Sequence, residues 1–102
     1  MNRILVISAF AEADMAEAIN WYNQIRPGLG NDLVLCFEQA LDRILQYPEA
    51  FPLVLHNARR ILIRRFPYGV FFRVSQLRIE VEAVFALRAD PAHLAKRLGT
   101  NP

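Results

Sequence analysis

Apolar residues recur along this chain with two different periods, and the change of period divides it into elements. The opening "RILVIS", Arg3 to Ser8, is short and β-branched and predicts a first strand. After it, Ala11, Met15, Ala18, Ile19, Tyr22 and Ile25 follow at spacings of three and four, one face of a helix for which Ser8 can serve as N-cap. Glu12, Asp14 and Glu17 crowd its first turns, where the helix dipole favours negative charge. "RPGLGN" ends that pattern with a Pro and two Gly. A second helix is predicted from about Asp32 to Tyr47, with Leu33, Phe37, Leu41 and Ile44 as its apolar stripe and Pro48 as its stop. Two amphipathic helices joined by a short Gly-rich loop make an antiparallel hairpin.

From Arg59 the period becomes two. A turn at Pro67-Tyr68 would pair Phe66 with Gly69, Arg65 with Val70, Ile63 with Phe72 and Ile61 with Val74. A turn at Gln76-Leu77 would pair Val74 with Ile79, Phe72 with Val81 and Val70 with Ala83. Both registers place Ile61, Ile63, Val70, Phe72, Val74, Ile79, Val81, Ala83 and Phe85 on one face, which predicts a three-stranded meander. The opposite face then carries Arg60, Leu62, Arg64, Phe71, Arg73, Arg78, Glu80 and Glu82, with Arg73 opposite Glu80 as a cross-strand ion pair. "DPAHLAKRL" closes the chain as a short helix, Asp90 at its N-cap and Pro91 at N1. The expected fold class is therefore α+β, in the order β-α-α-β-β-β with a short C-terminal helix. An antiparallel-rich sheet would be packed on a two-helix hairpin, its Arg-studded face left open, in a single domain over residues 1–102.

Composition narrows this picture. The 102 residues leave no room for a second core. A hydrophobic content of 54% with 22% charged residues excludes disorder. No apolar run reaches the roughly 18 residues that a bilayer span needs. "MNRILVISAF" lacks a small-residue cleavage site, so the expectation is no signal peptide, no membrane and a cytoplasmic protein. The single Cys36 suits a reducing compartment and, on the second helix, reads as a buried, inert thiol.

Net charge is only +2, yet it is unevenly distributed. Residues 1–50 carry three Arg against seven acids, a balance of −4. Residues 51–102 carry eight Arg and one Lys against three acids, a balance of +6. A basic face of this kind meets an acidic partner, either nucleic acid or an acidic protein segment. Arg60, Arg64 and Arg65 crowd one hairpin beside Arg73, and their mutual repulsion calls for such a partner. His56, in a loop with no second ligand nearby, gives no metal site, and no cofactor is implied. Trp21 and Tyr22 read as anchors of the helix hairpin, with one of them partly exposed and able to serve a partner as the alternative.

The element order, together with the strings "AEADMAEAINWYNQIRPGLGNDLVLCFEQALDRILQYPEAFP", "RRILIRRFPYGVFFRV" and "IEVEAVFALRADPAHLAKR", resembles the RelE/ParE superfamily of bacterial type II toxin–antitoxin toxins, the plasmid-stabilisation type. The resemblance spans nearly the whole chain. It implies a small toxin that arrests growth unless a cognate antitoxin wraps it, with the antitoxin's acidic tail expected on Arg60, Leu62, Arg64, Phe71 and Arg73. ParE-like members poison DNA gyrase; RelE-like members cleave mRNA on the ribosome.

RNA cleavage requires groups to move protons at the ribose hydroxyl and the leaving oxygen. Arginine holds phosphate well but hardly ever gives up a proton. Similar family members often show a pattern like His-x-x-Arg-Asp-Pro after the last strand. Here Ala86 and Ala89 stand at the His and second basic positions. The expectation is therefore a ParE-like gyrase poison, with a RelE-like endoribonuclease or a non-toxic, antitoxin-binding module as alternatives. Candidates for the toxic chemistry are Arg65, Arg88 and His93, although His93 also reads as a solvated helix residue, and Tyr68 reads first as a ring packed over the hairpin edge with its hydroxyl in water.

Overall fold

A computed structural model of the chain describes residues 3–99. The ends of the expected domain, residues 1–2 and 100–102, lie outside them. The elements are β1 (Ile4–Ile7), α1 (Ala9–Ile25), α2 (Leu29–Gln46), β2 (Leu53–Leu55), β3 (Ala58–Leu62), β4 (Tyr68–Val74), β5 (Arg78–Ala86) and α3 (Pro91–Arg97). They form a mixed α+β fold whose sheet has the order β1-β5-β4-β3-β2, with β1 parallel to β5 and the other neighbours antiparallel.

The caps follow the sequence. The Ser8 hydroxyl accepts from the Ala11 N–H at 3.0 Å, satisfying one of the donors that a helix start leaves unpaired. Asp90 does the same for Ala92 at 2.9 Å. Helix α2 begins at Leu29, three residues before the expected Asp32, because Gly28 takes the left-handed conformation (φ 93°) that turns the chain tightly after α1. The Asn23 side chain then accepts from the Gly30 N–H at 2.8 Å and ties the two helices together at their junction.

Strand β2 was not expected. It is three residues long, and it joins β3 through His56 and Asn57, both at positive φ (49° and 64°), the conformation that two-residue hairpin turns use. The usual Gly signal of such a turn is missing, which hid it.

Two registers differ from expectation. Ile61 pairs with Val70 rather than Val74, since Arg64 to Pro67 all lie in the turn, which the Ile63 N–H closes on the Tyr68 carbonyl at 2.9 Å. The offset is an even number of residues, so the alternation survives, and Ile61, Val70 and Phe72 still face the helices. Between β4 and β5 the expected pairs Val74–Ile79 and Phe72–Val81 form, but a bulge follows, after which Phe71 pairs with Ala83 and Val70 with Val84. Glu82 is the extra residue, and an odd shift exchanges faces. Val84 therefore joins the main core, whereas Ala83 and Phe85, expected inside, turn to the other side.

The main core lies between the helix hairpin and the sheet. It joins Ala11, Met15 and Ala18 of α1, Leu33, Phe37, Ala40 and Ile44 of α2, and the inward residues of β3, β4 and β5. Cys36 is buried there as a free thiol. Phe72, fully buried, contributes about 1.5–3 kcal/mol by burial alone.

The other face of the sheet is not open. Leu94 and Leu98, at the end of the chain, cover Ala58, Phe71 and Ala83 in a second apolar cluster with Leu55 and Phe85. Phe71, expected to point into solvent, is only 4% exposed.

Candidate functional site

Most of the arginines have specific partners. Arg59 donates through Nη1 to the carbonyls of Glu49 (3.2 Å) and Phe51 (2.7 Å), stapling the segment that leads into β2. Arg73 donates through Nε to the His56 carbonyl at 3.0 Å and through Nη2 to the Leu98 carbonyl, and its Nη1 lies 3.4 Å from Glu82. The expected partner, Glu80, is instead 3.2 Å from Arg78. Arg73 thus clamps the β2–β3 turn, β5 and the end of α3 at once. Arg97 forms a two-pronged pair with Asp14.

Arg65 sits in the β3–β4 turn with φ at 73°, an unusual conformation for a residue with a side chain. It lies 3.5 Å from Asp32 and stacks over Phe66. Both charges of that pair are well exposed, so it adds little stability.

Among the described residues, Arg60, Arg64 and Arg88 make no ion pair. The stem of Arg60 lies over Gly69, where an added Cβ would come 3.1 Å from Cδ, so the missing side chain leaves the trough in which Arg60 rests. Leu62, next along this face, is 48% exposed. The expected set of Arg60, Leu62, Arg64, Phe71 and Arg73 therefore divides. Arg60, Leu62 and Arg64 are accessible at the hairpin end, whereas Phe71 is buried under α3 and the donors of Arg73 are taken by backbone carbonyls and Glu82.

One member of this region has no signal in the sequence. Arg43, in the last turn of α2, reaches across to donate through Nη2 to the Leu62 carbonyl at 3.1 Å. Its Nε is buried without a hydrogen-bond partner. Burial, and then the nearby positive charge of Arg64, lowers its pKa. In the sequence it reads as a cation suited to a helix C-terminus.

The candidates for toxic chemistry separate too. Arg88 and His93 line one cavity of about 480 Å³ between α1, the start of β4, the end of β5 and α3. Trp21, Tyr22, Glu17 and Tyr68 also line it, and Arg65 does not. The Tyr22 ring stands edge-on to Phe66 at 5.0 Å and to Tyr68 at 6.1 Å, giving the cavity an aromatic wall. Burial, the Tyr22 hydroxyl and the negative charge of Glu17 push the Tyr68 phenol above its ordinary pKa, outweighing the opposing pull of Arg88. Tyr68 is thus a hydrogen-bond donor at neutral pH and no base. Among the described residues, no cluster of His, Cys, Asp or Glu could hold a metal ion, and no helix is long and apolar enough to cross a membrane.

Neither a family model nor a curated protein sequence matches the chain. Among solved structures it is similar to a chain of the "Chromosomal ParDE TA system from P. aeruginosa", with a TM-score of 0.74 and 18% sequence identity, over 82% of this chain and 95% of that one. At that identity the likeness is one of fold, and the fold of this chain is ParE-like.

Proposed function

We propose that the chain is the toxin of a type II toxin–antitoxin pair, working in the cytoplasm, where a cognate antitoxin neutralises it. The observation that carries this reading is the ParE-like fold, shared across most of both chains with a component of a ParDE system. The uneven charge supports it: among the described residues Arg60 and Arg64 stand without acidic partners beside the exposed Leu62, a surface suited to an acidic segment that orders on binding.

For the toxic action we infer a ParE-like attack on DNA gyrase in preference to mRNA cleavage. Ala86 stands where similar family members carry a His, and neither Tyr68, held protonated, nor Arg88 can take the proton from a ribose hydroxyl. A nucleolytic reading draws support from one observation, the convergence of Arg88 and His93 on that cavity, with His93 as its proton-transfer group. The experiment is to induce the chain alone and follow DNA synthesis and translation together. DNA synthesis halting first supports the gyrase reading; translation halting first, with cut mRNA, replaces it with the nucleolytic one.

A further inference from the structure

The cavity lined by Arg88 adjoins a second one of about 480 Å³, and the two share Phe85, His93 and Arg97. Together they make one trough between α1 and α3, floored by the end of β5. Phe10, Asp14, Glu17 and Trp21 line its α1 wall at spacings of four, three and four, a single stripe of that helix. Phe10 (67% exposed) and Trp21 (58% exposed) thus stand at its two ends, roughly 16 Å apart along the helix axis. A lone exposed aromatic is ordinary on a protein surface. These two border one concave surface, and Phe10 is held by the Arg97 guanidinium stacked 5.3 Å from its ring centre, itself fixed by Asp14. The walls differ in charge. Asp14 and Arg97 neutralise each other. Among the described residues Arg88, Lys96 and Glu17 make no ion pair, which leaves cations on the α3 side and a carboxylate on the α1 side.

We propose that this trough receives an amphipathic helix of a partner protein. Its apolar face meets Phe10, Phe85 and Trp21, its acidic flank faces Arg88 and Lys96, and a basic residue on the other flank faces Glu17. This deepens the reading of the chain as an antitoxin-bound toxin and rests on it, giving the partner a contact in addition to the Arg60 and Arg64 surface. A helix fits because the trough runs between two helices, and anchors roughly 16 Å apart match three turns. Nucleic acid fits less well, since Glu17 along one wall repels phosphate. A second copy of the chain also fits less well, because pairing a concave surface with its own copy leaves both troughs unfilled.

The chain holds a single tryptophan, so the emission of Trp21 reads the trough directly. The probe is a synthetic helical peptide with Leu at the four-three-four spacing of the α1 stripe, Glu on one flank and Lys on the other, titrated into the full chain. The expected result is a saturable blue shift as the indole leaves water. A second peptide, with Lys on both flanks, should bind about tenfold more weakly. Lys96→Glu, a change at an exposed residue, should narrow that gap by weakening the first peptide and strengthening the second. Phe10→Ala should weaken the first about tenfold, as the loss of an anchoring aromatic does. Arg3→Gln, paired with Glu49 away from the trough, should change nothing. The Lys96 variant and the two peptides carry the test if Phe10→Ala folds poorly. No shift with the first peptide, or equal affinity for both, would overturn the proposal. So would a blue shift that grows with chain concentration alone alongside a dimer in sedimentation, which would assign the trough to a second copy. A single-stranded oligonucleotide that perturbs Trp21 at lower concentration than the peptide would assign it to nucleic acid instead. Growth on induction separates the trough from the reading beneath it. Arrest without a peptide-induced shift would overturn the trough alone, whereas a shift without arrest would overturn the toxin reading and the partner with it.

Discussion

Asp14 of α1 and Arg97 of α3, far apart in sequence, meet in a two-pronged ion pair, Nη1 to Oδ2 at 2.7 Å and Nη2 to Oδ1 at 3.0 Å. Asp14 Oδ2 also accepts from the Val84 N–H at 2.9 Å, at the strand segment that the Glu82 bulge has shifted. One carboxylate thus joins three elements, and the Arg97 guanidinium lies over the rings of Phe10 and Phe85 as well. Parallel N–H···O bonds in a partly buried setting are the strong form of ion pair.

Asp14→Ala should therefore destabilise the protein by about 1–3 kcal/mol, since it strands Arg97 and leaves the Val84 N–H unpaired. Hydrogen exchange should speed up in α3 more than in α2. Chemical denaturation combined with amide exchange checks this; uniform exchange with unchanged stability would mean the pair is incidental.

Phe71 and Phe72 should both be costly to truncate. Phe72→Ala should lose about 3–5 kcal/mol from the main core, and Phe71→Ala a loss of similar kind from the cluster beneath Leu94 and Leu98. Strand alternation alone predicts a cheap Phe71→Ala. Urea denaturation of the two variants distinguishes these outcomes.

That contrast shows where the sequence was informative. Both helix starts capped by Ser8 and Asp90, the apolar stripe of α2 and that of α1 up to Tyr22 (Ile25, at its end, is exposed), and the inward set of β3 and β4 were legible, because each depends on local spacing or local capping chemistry. The bulge at Glu82 was not, since nothing in "EVEAVFA" marks which residue goes unpaired, and one such residue moves Ala83, Val84 and Phe85 to opposite faces. The covering of Phe71 and the occupation of Arg73 depend on where α3 lands, which is a tertiary outcome. Arg43 was missed for the same reason: a cation near a helix end looks the same whether its Nε is solvated or buried.

Arg73→Gln should lower stability by about 1–3 kcal/mol, because it gives up its bonds to the His56 and Leu98 carbonyls and its pairing with Glu82. Arg60→Gln and Arg64→Gln, with no ion pairs to lose among the described residues, should stay within about 0.5 kcal/mol of the parent. Thermal melts of the three single variants test this separation of structural from available arginines.

The raised pKa of Tyr68 fixes the sign of one pH effect. Below about pH 10 the phenol is protonated in both folded and unfolded chains and contributes no pH dependence. As pH rises past that value, the unfolded phenol ionises while the folded one resists, so stability falls until the folded group titrates as well. Tyr68→Phe should flatten that alkaline decline, as measured by denaturation midpoints across the range.

The most direct measurement is growth after induction of the chain, alone and together with a small neighbour-encoded protein bearing an acidic tail, for the parent and for the Arg60→Gln/Arg64→Gln variant. The account predicts arrest by both chains when expressed alone, and rescue by the acidic-tailed protein that is complete for the parent and weak for the variant. No arrest by the parent, or equal rescue of parent and variant, would contradict it.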